Sequence, residues 1–155
     1  MKLHYFIMAL AIVLDQISKI KMVQILSLKD PIVIIPDFFK LTLVHNKGAA
    51  FGILQNQRVL FLIITVVADA AMVGGLVFYG KKLNRWERWA LGAITGGAIG
   101  NAIDRIRFGY VVDFFSFTFF KKYNFAVFNV ADAFIVVGVI VLLMLTLWGG
   151  KSNDK

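Results

Sequence analysis

Two aspartates stand where a carboxylate is costly. Asp132 lies in FNVADAF (128–134), at the head of an apolar run over 128–148, and Asp113 lies in YVVDFF a short distance upstream. An ionisable group near hydrocarbon costs several kcal/mol and is a functional candidate by default. Two carboxylates held close cannot both ionise cheaply, so one binds its proton more tightly and the pair shares it. Such a pair offers a base and an acid together. The base takes a proton from water, the water attacks a carbonyl carbon, and the acid polarises the carbonyl oxygen. A proton then goes to the leaving amine. This is aspartic peptidase chemistry, and it needs neither thiol, imidazole nor metal. The chain has no cysteine, and its two histidines, His4 and His45, are far apart and form no HExxH. A thiol nucleophile, disulfides and a histidine metal cluster are therefore excluded. Ser18 and Lys19 are adjacent, so on a helix they do not face each other. Ser116 has no evident base. The competing reading of Asp113 and Asp132 is a salt bridge to Arg105, Arg107 or a lysine, and spacing alone leaves both open.

Other polar residues fall in the same neighbourhood. Asp15 and Lys19 are four apart and can pair on one helix face. Asn101, Asp104 and Arg105 share a face by three- and four-residue spacing, and Asn129 precedes Asp132 by three. With Asn46, these residues all map to the outer half of a four-span arrangement, or beyond it. A single polar cluster at the outer ends of three helices is the expectation. Asp15 with Lys19, and Asp104 with Arg105, read first as structural charge pairs. Asn101 and Asn129 read either as interhelical glue or as orienters of an acid.

The elements that must position this cluster follow from hydropathy. The chain has 155 residues, 59% hydrophobic, with mean hydropathy +0.78. Soluble domains run nearer ~45–50% apolar, so this is a membrane protein, and a single domain over 1–155 by length. Segments at about 3–26, 59–79, 86–106 and 128–148 are each long enough to cross a bilayer. The N-terminal run lacks a small-residue cleavage site and reads as a retained span. Lys81, Lys82, Arg85 and Arg88 between the second and third segments, and the basic tail, belong on the cytoplasmic side. Both termini are then cytoplasmic, and Lys121 and Lys122 lie outside against the rule. The net charge of +8 suits topology and anionic headgroups, not nucleic acid.

The outward segments alternate with period two. DFFKLTLVHN (37–46) and FFSFTFF (114–120) predict two strands of a small sheet on the outer membrane surface, with Pro31 and Pro36 bounding the first. GAAFGILQNQ (48–57) suggests an interfacial helical turn. Gly92, Gly96 and Gly100 form a row that lets another helix approach closely. The fold class expected is an all-α membrane protein of four transmembrane helices with a small extracytoplasmic β-sheet.

Four motifs stand in order at the outer ends of these segments: DQISK (15–19), NKGAAFG (46–52), GNAIDRIRFGYVVDF (100–114) and FNVADA (128–133). Together they make the chain resemble the lipoprotein signal peptidase (signal peptidase II) family of bacteria, over nearly its whole length. The resemblance implies an aspartic endopeptidase of the bacterial cytoplasmic membrane, active on its outer side. Its substrates would be diacylglyceryl-modified prolipoproteins, cut before the lipidated cysteine. Asp113 and Asp132 match the catalytic pair. Asp15, Asn46, Asn101, Asp104, Arg105 and Asn129 match the family's other polar positions, and Gly48 matches the glycine of the NxGAAF-type motif. Lys19, from the helix pairing above, joins them as a supporting residue. No cofactor or metal is implied; membrane lipid is a partner and the chain is expected to be a monomer.

Asp69, midway along the second segment in VVADAAM, matches no family motif and is expected not to be catalytic. Two other classes compete. A small transporter or channel would need polar groups at both membrane depths, and only Asp69 supplies one. A non-catalytic assembly factor would use the glycine row for docking, and a test of cleavage by the purified protein alone would discriminate.

Overall fold

The computed structural model describes residues 3–27, 31–48 and 58–149. Four long helices occupy the four apolar segments: α1 (Leu3–Leu26), α2 (Arg58–Tyr79), α3 (Arg85–Phe108) and α4 (Val130–Gly149). Their ends lie within two residues of the limits expected from hydropathy. At ~1.5 Å per residue each is about 30–36 Å long. By length and composition, one segment among the described residues, Val130–Leu147 with mean hydropathy 2.7, is apolar enough to cross a membrane. In α1 and α3, charged residues interrupt the apolar run.

Helix α3 is the hub, packing against α1, α4 and α2. Small residues make that possible. A Cβ placed at Gly92 would stand 2.6 Å from the His4 carbonyl, and one at Gly96 2.6 Å from that of Met8. A Cβ at Gly97 would stand 2.5 Å from the carbonyl oxygen of Ala131. The glycine row is therefore the seam with α1, and Gly97 serves α4. Residues turned away from these seams are apolar and exposed, such as Phe6, Val13 and Ile17 on α1 and Val136, Leu143 and Leu147 on α4. An apolar surface of that extent suits lipid.

Asn84 caps the start of α3. Its side chain accepts the Trp86 and Glu87 amides, while Glu87 accepts the Asn84 amide in return. At the other end Gly109 takes φ 82°, a left-handed conformation that costs glycine little, and returns its N–H to the Arg105 carbonyl. The chain turns there directly into a strand.

Between the helices lies one antiparallel sheet in the order β1 (Ile32–Ile35), β2 (Phe39–Asn46), β3 (Val111–Phe119) and β4 (Tyr123–Asn124). Period-two alternation predicts β2 and β3; the sheet has four strands. The apolar IVII of β1 does not alternate, and β4 is two residues long, so neither carries that signal. Pro31 and Pro36 flank β1 and not β2, because an edge strand tolerates prolines that a central strand does not. Phenylalanines gather on one face: Phe39 stacks on Phe117 at 4.6 Å, and Phe128 lies 5.5 Å from Phe115 and 5.8 Å from Phe117. The helical turn expected over 48–57 lies, apart from Gly48, outside the described residues.

Candidate active site

Asp113 is the third residue of β3, where Val44 of β2 is its partner. The register shifts between Leu41 and Val44, a bulge that re-aims the residues after it. Asn46, two residues past Val44, donates from Nδ2 to Asp113 Oδ2 at 2.9 Å. Its own Oδ1 accepts the Gly48 N–H at 3.0 Å, which fixes the orientation of the amide.

Asp132 stands in the first turn of α4. Asn129 donates its backbone N–H to Asp132 Oδ2 at 3.1 Å and accepts the Asp132 N–H on Oδ1 at 3.0 Å. This is a capping box with aspartate in the usual place of glutamate. Two backbone amides of a helix start are satisfied, and the positive end of the helix favours a carboxylate there. Phe128 pairs with β3 through bonds to Phe114 and Phe115, which brings this helix start beside Asp113.

Asn129 joins the two acids. Its Nδ2 donates to Asp113 Oδ1 at 2.7 Å and to Asn101 Oδ1 at 3.0 Å, with the Val112 carbonyl at 3.3 Å. Asn101 in turn donates from Nδ2 to Asp132 Oδ1 at 2.8 Å. Each aspartate is thus held by two amide groups, and Asn129 is common to both.

Beneath them lies a buried charge cluster. Lys19 Nζ contacts Asp15 Oδ2 at 2.8 Å, Asp104 Oδ2 at 3.0 Å and Asn101 Oδ1 at 2.9 Å. Asp15, Lys19 and Asp104 are all buried. Taking three charges out of water is tolerable only when further hydrogen bonds compensate, and both carboxylates have them. Asp15 Oδ1 accepts the Ala131 N–H at 3.0 Å, and Asp104 Oδ2 accepts the Val112 N–H at 3.0 Å. Gly100 makes room, since a Cβ there would stand 2.7 Å from Asp15 Oδ2.

A cavity of about 810 Å³ opens over the two acids. Asn46, Gly48, Asn101, Arg105, Asp113 and Asp132 line its polar side, and residues of α4 such as Ala133, Val136 and Val137 line its apolar side. Val136 and Val137 are also exposed on the outer surface of the helix, so the cavity meets the apolar exterior laterally. Asp113 is 1% exposed, and burial is the main reason its proton is held up to about pH 7. The negative charge of Asp132 adds to this, while the Asn46 and Asn129 amides oppose it.

The residues singled out from sequence divide clearly. Asn46, Gly48, Asn101, Arg105, Asp113 and Asp132 meet at the cavity, and Asn129 joins the acids. Asp15, Lys19 and Asp104 support them from behind. Amide groups hold both acids. Arg105 donates to the Asn101 carbonyl at 3.4 Å. Asp69 lies in α2, its side chain outside the description. Gln16 was missed. Its Nε2 lies 3.2 Å from Asp15 Oδ2, 3.1 Å from Asp104 Oδ1 and 3.2 Å from the Gly100 carbonyl. An uncharged polar residue within an apolar helix was the available signal.

Known proteins are similar to this chain in sequence and fold. The family model described as signal peptidase (SPase) II matches residues 7–148. A lipoprotein signal peptidase of Caldanaerobacter subterraneus subsp. tengcongensis is 45% identical over 93% of this chain and 95% of its own length. That of Brevibacillus brevis is also 45% identical, over 97% and 98%. A solved structure described as a bacterial membrane enzyme superposes with a TM-score of 0.86 at 33% identity, covering 98% of this chain and 91% of that one. A second so described gives 0.80 at 31% identity, over 98% and 94%. With a family match across most of its length, and relatives so similar over nearly all of it, the chain belongs to the signal peptidase II family.

Proposed function

We propose that Asp113 and Asp132 are the catalytic pair. The chain is an aspartic-type endopeptidase that removes signal peptides from lipoprotein precursors, as its family membership establishes. The observation that carries the assignment is that both carboxylates face one cavity and are bridged by a single residue, Asn129, whose side-chain amide holds Asp113 and whose backbone N–H holds Asp132. Asp113 holds the proton and Asp132 is the base. Asp132 removes a proton from water, whose oxygen attacks the scissile carbonyl. Asp113 gives its proton to the carbonyl oxygen, making a gem-diol. Asp132 then passes its proton to the leaving nitrogen while Asp113 recovers one from a hydroxyl, and the C–N bond breaks. Both acids end as they began.

The substrate is a diacylglyceryl-modified prolipoprotein, cut before the lipidated cysteine. Its acyl chains and signal helix stay in lipid, and the peptide reaches the acids past the apolar wall of α4. Arg105, on the cavity wall, faces the peptide backbone. All four helices span the bacterial cytoplasmic membrane as one domain with both termini cytoplasmic, and the sheet lies on the outer surface. The basic α2–α3 turn supports this orientation. The enzyme works as a monomer, and the one-sided placement of polar groups disfavours a transporter. Asp113→Asn and Asp132→Asn, made separately and purified in detergent, should each remain folded and lose cleavage of a diacylglycerylated precursor. Cleavage retained by either variant rejects the shared-proton mechanism.

A further inference from the structure

The two acids have matching supports. Asp15 accepts the backbone N–H of Ala131, the residue before Asp132, and Asp104 accepts that of Val112, the residue before Asp113. Both supporting carboxylates converge on one ammonium, Lys19, which also holds Asn101. Asn101 leads to both acids: its Nδ2 donates to Asp132, and its Oδ1 accepts from the amide that grips Asp113. The three protons of the ammonium match its three oxygen partners, at 2.8, 2.9 and 3.0 Å. Each path from Lys19 ends at the side chain of a proposed catalytic acid or at the amide preceding one. Lys19, Asp15 and Asp104 do not line the cavity, so they act without touching substrate.

We propose that Lys19 is a positioning residue for peptide hydrolysis: through Asn101, Asp15 and Asp104 it fixes Asp113 and Asp132 relative to one another and sets the field in which they share their proton. The inference rests on the assignment of these two acids as the catalytic pair. A simple ion pair would need one carboxylate. Here a single cation spans three helices, since α1 supplies Lys19 and Asp15, α3 supplies Asn101 and Asp104, and Asp15 caps α4. Asn101, with its oxygen held by the ammonium, is fixed as a donor to Asp132. The other charged or titratable groups facing the pair are Arg105 of α3, and His45 and Lys47 at the end of β2 and just beyond it.

The test compares Lys19→Met and Asp15→Asn with the unaltered enzyme, purified in detergent, using a diacylglycerylated precursor peptide. Lys19→Met should lower kcat at least 100-fold with KM within twofold. Loss of a nearby cation should also move the pH–rate profile upward by about one unit. Asp15→Asn keeps an oxygen for the Ala131 amide but removes a negative charge. Its profile should move downward, with kcat again reduced. These shifts of opposite sign are the signature. A purely structural role predicts activity in proportion to folded protein and superimposable profiles, and that result overturns the proposal. If Lys19→Met does not fold, the direction of the Asp15→Asn shift decides alone. Failure of the dyad assignment is separate: it is read from Asp113→Asn or Asp132→Asn retaining cleavage, whatever Lys19 does.

Discussion

Asn129 donates its side-chain amide to Asp113 at 2.7 Å, while its backbone N–H reaches Asp132 at 3.1 Å. One residue thus sets the spacing of both acids, and it also caps α4. Asn129→Ala removes the cap, which is worth about 1 kcal/mol. It also leaves a buried acceptor, Asp113 Oδ1, without its donor, at about 1–3 kcal/mol. The variant should melt at a lower temperature in detergent and lose more than tenfold in kcat beyond its loss of folded protein. A kcat matching the folded fraction would show that the bridge has no part in turnover.

The proton on Asp113 has a consequence for stability. In the folded protein it is held up to about pH 7, against 3.8 for the unfolded chain. Between those values the folded state binds more protons than the unfolded one, so stability falls as pH rises. The penalty is absent below 3.8 and complete above 7, where it reaches about 4 kcal/mol at ~1.36 kcal/mol per unit. Asp113→Asn removes it. Thermal unfolding in detergent should therefore show this variant gaining on the unaltered enzyme between pH 5 and pH 8. A difference in melting temperature that is flat with pH, or of opposite slope, contradicts a protonated Asp113. In turnover the same proton predicts a rate that declines above about pH 7.

Glycines give a contrast that geometry alone predicts. A Cβ at Gly100 meets Asp15 Oδ2 at 2.7 Å, whereas one at Gly74 of α2 meets nothing within 4 Å. Gly100→Ala must displace the Asp15 carboxylate, which the Ala131 amide and the Lys19 ammonium hold, and overpacking of this kind costs about 1–3 kcal/mol. It should lower both melting temperature and kcat. Gly74→Ala should leave activity unchanged, with stability equal or raised by up to about 1 kcal/mol from helix propensity. Equal behaviour of the two would remove the seam between α1 and α3 from the account of the site.

The helices were legible in sequence because hydropathy and length leave few alternatives. Asp15 and Lys19 were legible as a pair because helix geometry places residues four apart on one face. What the pair does was not. The Ala131 amide that Asp15 caps is 116 residues away, and no local rule reaches that far. Asn101 and Asn129 stayed ambiguous for the same reason, since an amide that holds an acid reads like one that glues helices. The strands β1 and β4 escaped because a short edge strand owes its existence to its neighbour. Gln16 escaped because its neighbours Asp15 and Lys19 already explained the motif.

The residue on the sheet side of Asp113 offers the last test. Asn46 donates to Asp113 Oδ2 at 2.9 Å and is held in place by the Gly48 amide. Asn46→Asp replaces that donor with a second acid against Asp113. The lost hydrogen bond and the added negative charge act in one direction, because both disfavour the Asp113 anion. Asp113 then keeps its proton to higher pH, and the alkaline limb of the kcat profile should rise by about one unit. Asp132 is held from α3 and from the start of α4, and Asn46 is not among its partners. A limb that stays in place or moves downward would mean that Asp113 is not the acid whose proton the reaction uses.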